Sequence, residues 1–270
     1  MTSTSAIAAT VPAPRRRMSP VARSLVSAAV YVVVIIAIWQ IYVAVAQVPV
    51  YLLPAPGAVW QATVDMAREG LLWSNLLYTI RNIVVGFVGG VIIGTTLGYL
   101  LWASRWAREI AAPYIVVLQA APKIAVAPLL VLWFGLGMES QLALILMLSF
   151  FPMMVAMRLG LDSISDDVAT LGRLLNMGKW RYFTTVQIPG SMPELISGAK
   201  IAIIDAMTGA FLAEYITARV GLGYLMVLGN SSYKTPMLIA AVLLTVAAGL
   251  AGFGLISLLE KRLLRWNRRS

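Results

Sequence analysis

The sequence predicts an all-helical integral membrane protein with six transmembrane helices, and three observations lead there. Of the 270 residues, 60% are hydrophobic and 12% charged, with a mean hydropathy of +0.85. A water-soluble domain of that composition would expose one continuous apolar surface. Six apolar runs, near 24–46, 78–102, 110–134, 140–160, 194–217 and 235–258, are long enough to cross a hydrocarbon core. The basic residues alternate between connecting segments. With the N-terminus inside, Arg15, Arg16, Arg17, Arg23, Arg105, Arg108, Arg158, Arg173, Lys179, Arg181, Lys261, Arg262, Arg265, Arg268 and Arg269 share one side, against Arg68, Arg219 and Lys234 on the other. Fifteen against three predicts that both termini and the 161–193 segment are cytoplasmic.

The net charge of +10 is therefore mostly topological. Its carriers sit on several separate segments, so membrane lipid is the expected neighbour and nucleic acid is not. The chain has no Cys and no His, which removes disulfides, thiolate chemistry and the commonest metal ligand and general base.

Residues 1–22, rich in Ala, Ser, Thr and Pro, read as a disordered basic cytoplasmic tail ahead of a transmembrane domain spanning 23–270. The tail, the first apolar run and Ala44-Val45-Ala46 also fit a cleavable signal, but the run is too long for one. Leu53-Pro54-Ala55-Pro56 cannot continue a helix, so an outer turn should precede an interfacial helix over 58–68; a plain connector fits equally well. The second run places Gly86, Gly90, Gly94 and Gly98 on one face, where another backbone can approach closely. Tight packing is the simpler reading of that stripe and a sliding surface the functional one. The third run is interrupted at Pro122 and Lys123 and again at Pro128, which predicts a bent or broken helix beside protein or a watery cavity.

Between the fourth and fifth runs lies the longest polar interruption, 161–193. It reads as a short amphipathic helix, an aromatic-basic turn (Lys179, Trp180, Arg181, Tyr182, Phe183), then Ile188-Pro189 and Pro193 before the next span. A loop of this length implies a task. The fifth run carries Asp205 and Glu214 within the membrane. Such charges face the protein interior or a watery path, and no Lys or Arg stands three or four positions from Asp205. An ion pair with Lys123 or another span's polar group is the structural alternative to a pathway role. Leu258–Arg269 reads as a basic helix end anchored at the headgroups by Trp266.

In order and spacing these segments resemble the permeases of ATP-binding-cassette (ABC) importers, in particular the nitrate/sulfonate/taurine branch. Trp180 and Pro189 keep the nine-residue spacing of the family's coupling loop, and Arg173 its place in the preceding helix. Pro122, Ala125, Pro128, Leu129, Trp133, Phe134, Gly135 and Gly137 match a Pro-x-x-Ala-x-x-Pro-Leu…Trp-Phe-Gly-x-Gly pattern. Gly198, Glu214 and Gly221-Leu222-Gly223 also stand at family positions, as does the Leu-Pro-x-Pro turn. Thr170, Gly172 and Asn176 replace the usual Glu, Ala and Gly, and Asp205 and Met207 replace aromatic residues.

The resemblance implies a type I importer permease fold in a bacterial inner membrane. It implies a second permease copy as homodimer partner, two cytoplasmic ATPase subunits and an extracytoplasmic solute-binding protein. ATPase coupling falls on Leu171, Arg173, Leu174, Leu175, Trp180 and Pro189, and the translocation pathway on Pro122, Lys123, Pro128, Asp205, Met207 and Glu214. The chain has no Gly-x-x-x-x-Gly-Lys-Ser/Thr loop, so ATP hydrolysis is expected from the partners, and no cofactor or metal is called for. A proton-driven secondary transporter with Asp205 and Glu214 as relay is the alternative, but such folds usually carry internal repeats and none is evident. A membrane-embedded enzyme would need a catalytic constellation that the sequence does not offer.

Overall fold

The computed structural model describes residues 20–217 and 219–264, and among these all regular structure is helical. Residues 1–19 and the closing Arg265, Trp266, Arg268 and Arg269 lie outside the described residues, and with them most of the expected tail and the Trp anchor. The chain divides into two units, Met1–Val48 and Pro49–Ser270. The first contains α1 (Pro20–Val45), an apolar helix of 26 residues.

The second unit opens at the proline pair. Ala55 is extended (φ −66°, ψ 151°) and Pro56 starts α2 (Pro56–Arg68), where a missing N–H costs nothing. Gly70, at φ +74°, turns the chain into α3 (Leu71–Ala103). Ser104 Oγ accepts from the Ala107 N–H at 3.2 Å and starts α4 (Arg105–Ala120). The third apolar run is broken as its prolines predict. Ala121 is extended ahead of Pro122, as the proline ring requires, and α5 (Lys123–Phe134) follows. Arg105–Ala120 and Ile124–Phe134 are inclined by 102°. Pro128 does not interrupt the run as expected: it lies inside α5, because the helix restarts at Lys123 and runs through it.

Among the described residues, four helices are long and apolar enough to cross a membrane, and the broken α4–α5 pair would make a fifth. The four are α3, α6 (Met138–Asp162), the helix Lys179–Thr217 and α11 (Thr235–Leu263). α3 lies along α6 through the glycine stripe. A Cβ added at Gly86, Gly94 or Gly98 would sit 2.7–2.8 Å from the Cβ of Ile145, Met153 or Met157, closer than real side chains approach. The stripe is therefore a close-packed seam.

The polar segment is more helical than its prolines suggest. α7 (Asp166–Leu174) is the short amphipathic helix expected. The aromatic-basic turn, however, is itself helical: α8 (Lys179–Tyr182) runs through a π-helical turn (Phe183–Gln187) into α9 (Ile188–Thr217). Pro189 and Pro193 thus sit inside this helix and not ahead of it. The wide turn supplies the reason. A helical proline clashes with the carbonyl four residues back, here that of Thr185, which lies within the π turn, and such bulges are a standard relief. At the other end of the bundle a short α10 (Leu222–Ser231) connects α9 to α11.

Candidate functional site

α7 is fastened to the bundle by one face only. Gly172 is its buried residue, and a Cβ there would meet the Tyr182 ring at 2.7 Å. The replacement of the family's Ala by Gly thus makes room for that ring. Asn176, where the family has Gly, adopts φ +47°, the left-handed region that Asn tolerates best among side-chain-bearing residues. The Asn176 N–H bonds Arg173 O at 3.0 Å and the Met177 N–H bonds Gly172 O at 3.1 Å, a Schellman closure of the helix. Asn176→Val should strain this turn by about 1–2 kcal/mol while Asn176→Gly should not; faster tryptic cleavage at Lys179 in the Val variant alone is the expected readout.

With Gly172 turned inward, four large apolar residues of the loop face out. Leu171 (54% exposed), Leu174 (74%) and Leu175 (64%) lie at i, i+3 and i+4 on one face, and Trp180 is 76% exposed on α8. Arg173 Nη2 reaches Thr170 Oγ1 at 3.4 Å, a neutral partner at the place of the family's Glu. Trp180 stacks at 5.7 Å on Phe183, which meets Tyr99 of α3 edge-on at 4.9 Å. Pro189 is half-buried just beyond. The sequence-predicted coupling residues are therefore brought together at one end of the second unit, with Leu171, Leu174, Leu175 and Trp180 mostly exposed.

The expected pathway residues are not gathered at one place. Asp205 is half-buried and lines a cleft of about 450 Å³ with Gln119, Pro152, Glu194, Ser197 and Ile201. Met207 belongs to the buried cluster of Ile83, Ile145, Ile203, Ala206 and Ala210. It borders a different cavity, an apolar one of about 620 Å³ between α9 and α11. Pro122 and Pro128 are exposed on the subunit surface. The side chain of Lys123 lies outside the described residues. Lys200 of the same helix pairs with Glu260 of α11 at 2.7 Å.

Glu214 is fully buried (0% exposed) in a polar cluster at the α10 end that sequence reasoning missed. Its Oε2 accepts from Thr79 Oγ1 at 2.9 Å and from the Gly223 N–H at 3.0 Å. Beside it, Gln141 Oε1 accepts from Asn82 Nδ2 at 2.8 Å, and Gln141 Nε2 donates to Thr217 Oγ1 at 2.8 Å. A signal existed: Asn75, Thr79 and Asn82 recur at helical spacing in an otherwise apolar run, and polar groups in a span seek partners on other helices.

Comparison with known proteins agrees with this architecture. Residues 86–265 match the family described as binding-protein-dependent transport system inner membrane component. A probable ABC transporter permease protein of Haemophilus influenzae is 34% identical over 80% of this chain and 88% of its own length. The riboflavin transport system permease protein RibX of Chloroflexus aurantiacus is 31% identical over 94% and 97%. The formylaminopyrimidine transport permease protein ThiX of Halalkalibacterium halodurans is 30% identical over 88% and 95%. In fold, the chain is similar to the inward-facing methionine ABC transporter MetNI, with a TM-score of 0.60 and 18% identity over 72% of this chain and 95% of that one. The family is a membrane component that works with ATPase subunits and a binding protein, and the importer reading prevails over a proton-driven secondary transporter. The chain belongs to the inner-membrane components of binding-protein-dependent transport systems and is the permease subunit of an ABC importer.

Proposed function

We propose that this permease crosses the membrane six times with both termini in the cytoplasm, as a type I importer subunit whose working domain is residues 23–270. Two copies form the path, two cytoplasmic ATPases dock on the α7–α8 surface, and the binding protein delivers solute at the α10 end. The observation that carries this reading is the patch of Leu171, Leu174, Leu175 and Trp180. It is apolar, exposed and set in a connecting segment that carries Arg173, Lys179 and Arg181, which the positive-inside rule places with the ATPases. ATP hydrolysis by those subunits drives a switch between inward- and outward-facing states.

For the cargo we favour an uncharged or weakly basic organic solute, with Asp205, which lines the cleft of about 450 Å³ beside Gln119 and Ser197, as a polar contact to it. The relatives RibX and ThiX, named for riboflavin and formylaminopyrimidine, are 31% and 30% identical. Two named for aliphatic sulfonates, from Bacillus subtilis and Escherichia coli, are 27% and 28% identical. In vesicles containing the full complex, Asp205→Asn should lower uptake of a heterocyclic solute by roughly tenfold, the worth of one lost bond to a charged group, without releasing the ATPase. Undiminished uptake of an alkanesulfonate or nitrate by both forms would overturn this assignment.

A further inference from the structure

The start of α10 is held in an unusual way. The first N–H groups of a helix have no partner within it, and here three in succession are taken by side chains of two other helices. The Gly221 N–H donates to Asn75 Oδ1 at 2.7 Å and the Leu222 N–H to Thr79 Oγ1 at 2.9 Å. The Gly223 N–H donates to Glu214 Oε2 at 3.0 Å. Each acceptor is itself oriented. Asn75 Nδ2 donates to Leu71 O at 2.7 Å, which turns its oxygen toward Gly221, and Thr79 spends its only proton on Glu214. All three side chains are buried (4%, 1% and 0% exposed), so water cannot replace a broken bond, and an unmet donor there costs more than the bond itself contributes.

The receiving segment is shaped to match. Gly221 has φ +116° and a Cβ there would strike the Glu214 carboxyl, while a Cβ on Gly223 would lie 2.7 Å from the Glu214 Cβ. Any larger residue at either place would hold α10 away from its acceptors. Gln141 extends the arrangement to α6 through Asn82, Tyr78 and Thr217. The opposite end of the subunit is built differently: α7 begins at Ser165 with no side-chain cap at all.

We propose that Asn75, Thr79 and Glu214 form a latch that holds α10 by its three leading N–H groups and keeps it one rigid body with the neighbouring ends of α3 and α9 through the transport cycle. Their role is positioning: each side chain is buried and bonded within the subunit. A signal from the binding protein landing near α10 then passes into α9 without being lost in a loose helix start. This last step rests on the proposed placing of the binding protein at the α10 end.

Hydrogen exchange of the segment 221–231, measured on the full complex in lipid discs, tests the latch. Thr79→Val should speed exchange there by roughly tenfold or more. The same variant should cut the ratio of binding-protein-stimulated to unstimulated ATP hydrolysis severalfold, with unstimulated hydrolysis and ATPase retention unchanged. Thr79→Ser, which restores the hydroxyl, should recover both readouts. If Thr79→Val does not assemble, Asn75→Leu removes the Gly221 bond together with Asn75's own bond to Leu71 O, leaves those at Leu222 and Gly223, and is read in the same way. Unchanged exchange would overturn the latch, and faster exchange with an unaltered stimulation ratio would reduce it to local stiffening and overturn its role in transport. The exchange measurement reads the latch even on a permease that retains no ATPase, so a failure of the docking surface would not mimic its failure.

Discussion

Leu175→Asp should release the ATPase subunits while the permease still inserts in the membrane. The side chain is 64% exposed, so the charge stays mostly in solvent and leaves the fold largely unchanged. In a docked groove the same carboxylate would be desolvated without a partner. Interfaces of this kind depend on a few apolar anchors worth 2 kcal/mol or more, so the complex should weaken by roughly thirtyfold or more. Affinity purification through the permease, with the ATPase quantified on the same gel, reads this directly. A complex that keeps its ATPase and its transport-coupled hydrolysis would remove the α7–α8 surface from consideration.

Gly94→Leu should do the opposite: leave the surface intact and prevent the bundle from closing. Gly94 faces the backbone of α6, where even a methyl group would sit 2.7 Å from the Met153 Cβ and 3.1 Å from the Met154 nitrogen. Overpacking of this kind costs about 1–3 kcal/mol for small insertions and more when backbone must move. Gly94→Ala should therefore lower the thermal midpoint in detergent and Gly94→Leu should abolish the monodisperse species. Gly57→Ala is the matched control, since nothing lies within 4 Å of that position. A Gly94→Leu protein that is monodisperse with an unchanged midpoint would show the helices free to slide apart at no cost.

Sequence reasoning reached the features set by local chemistry and missed those set by contact. The break at Pro122 was legible because the ring constrains Ala121 whatever surrounds it. The coupling helix was legible because its apolar residues repeat at helical spacing in a polar stretch. Pro189 and Pro193 were read as ending a loop, since a proline announces its lost bond but not the π turn that accommodates it. The largest omission was the set of bonds joining Thr79 to Glu214, Asn75 to Gly221, and Gln141 to Asn82 and Thr217, partnerships that only the packing of α3, α6, α9 and α10 decides. The pairing of Lys200 with Glu260, sixty residues on, is set by packing in the same way. Gly172 and Asn176 looked like decay of a signature and are compensated substitutions, one by the Tyr182 ring and one by the backbone angle.

The unbroken run from Lys179 to Thr217 also limits how this protein can change. Trp180 and Glu214 are 34 residues apart on it, about 50 Å at the rise of a helix. Each residue added or removed between them would turn one end against the other by about 100°, swinging either the tryptophan off its face or the carboxylate out from beneath α10. The two ends are locked in phase like marks on one shaft. This stretch is therefore free to vary in side chains but not in length, and insertions have to be absorbed where the helix is absent, at 175–178 or 219–221.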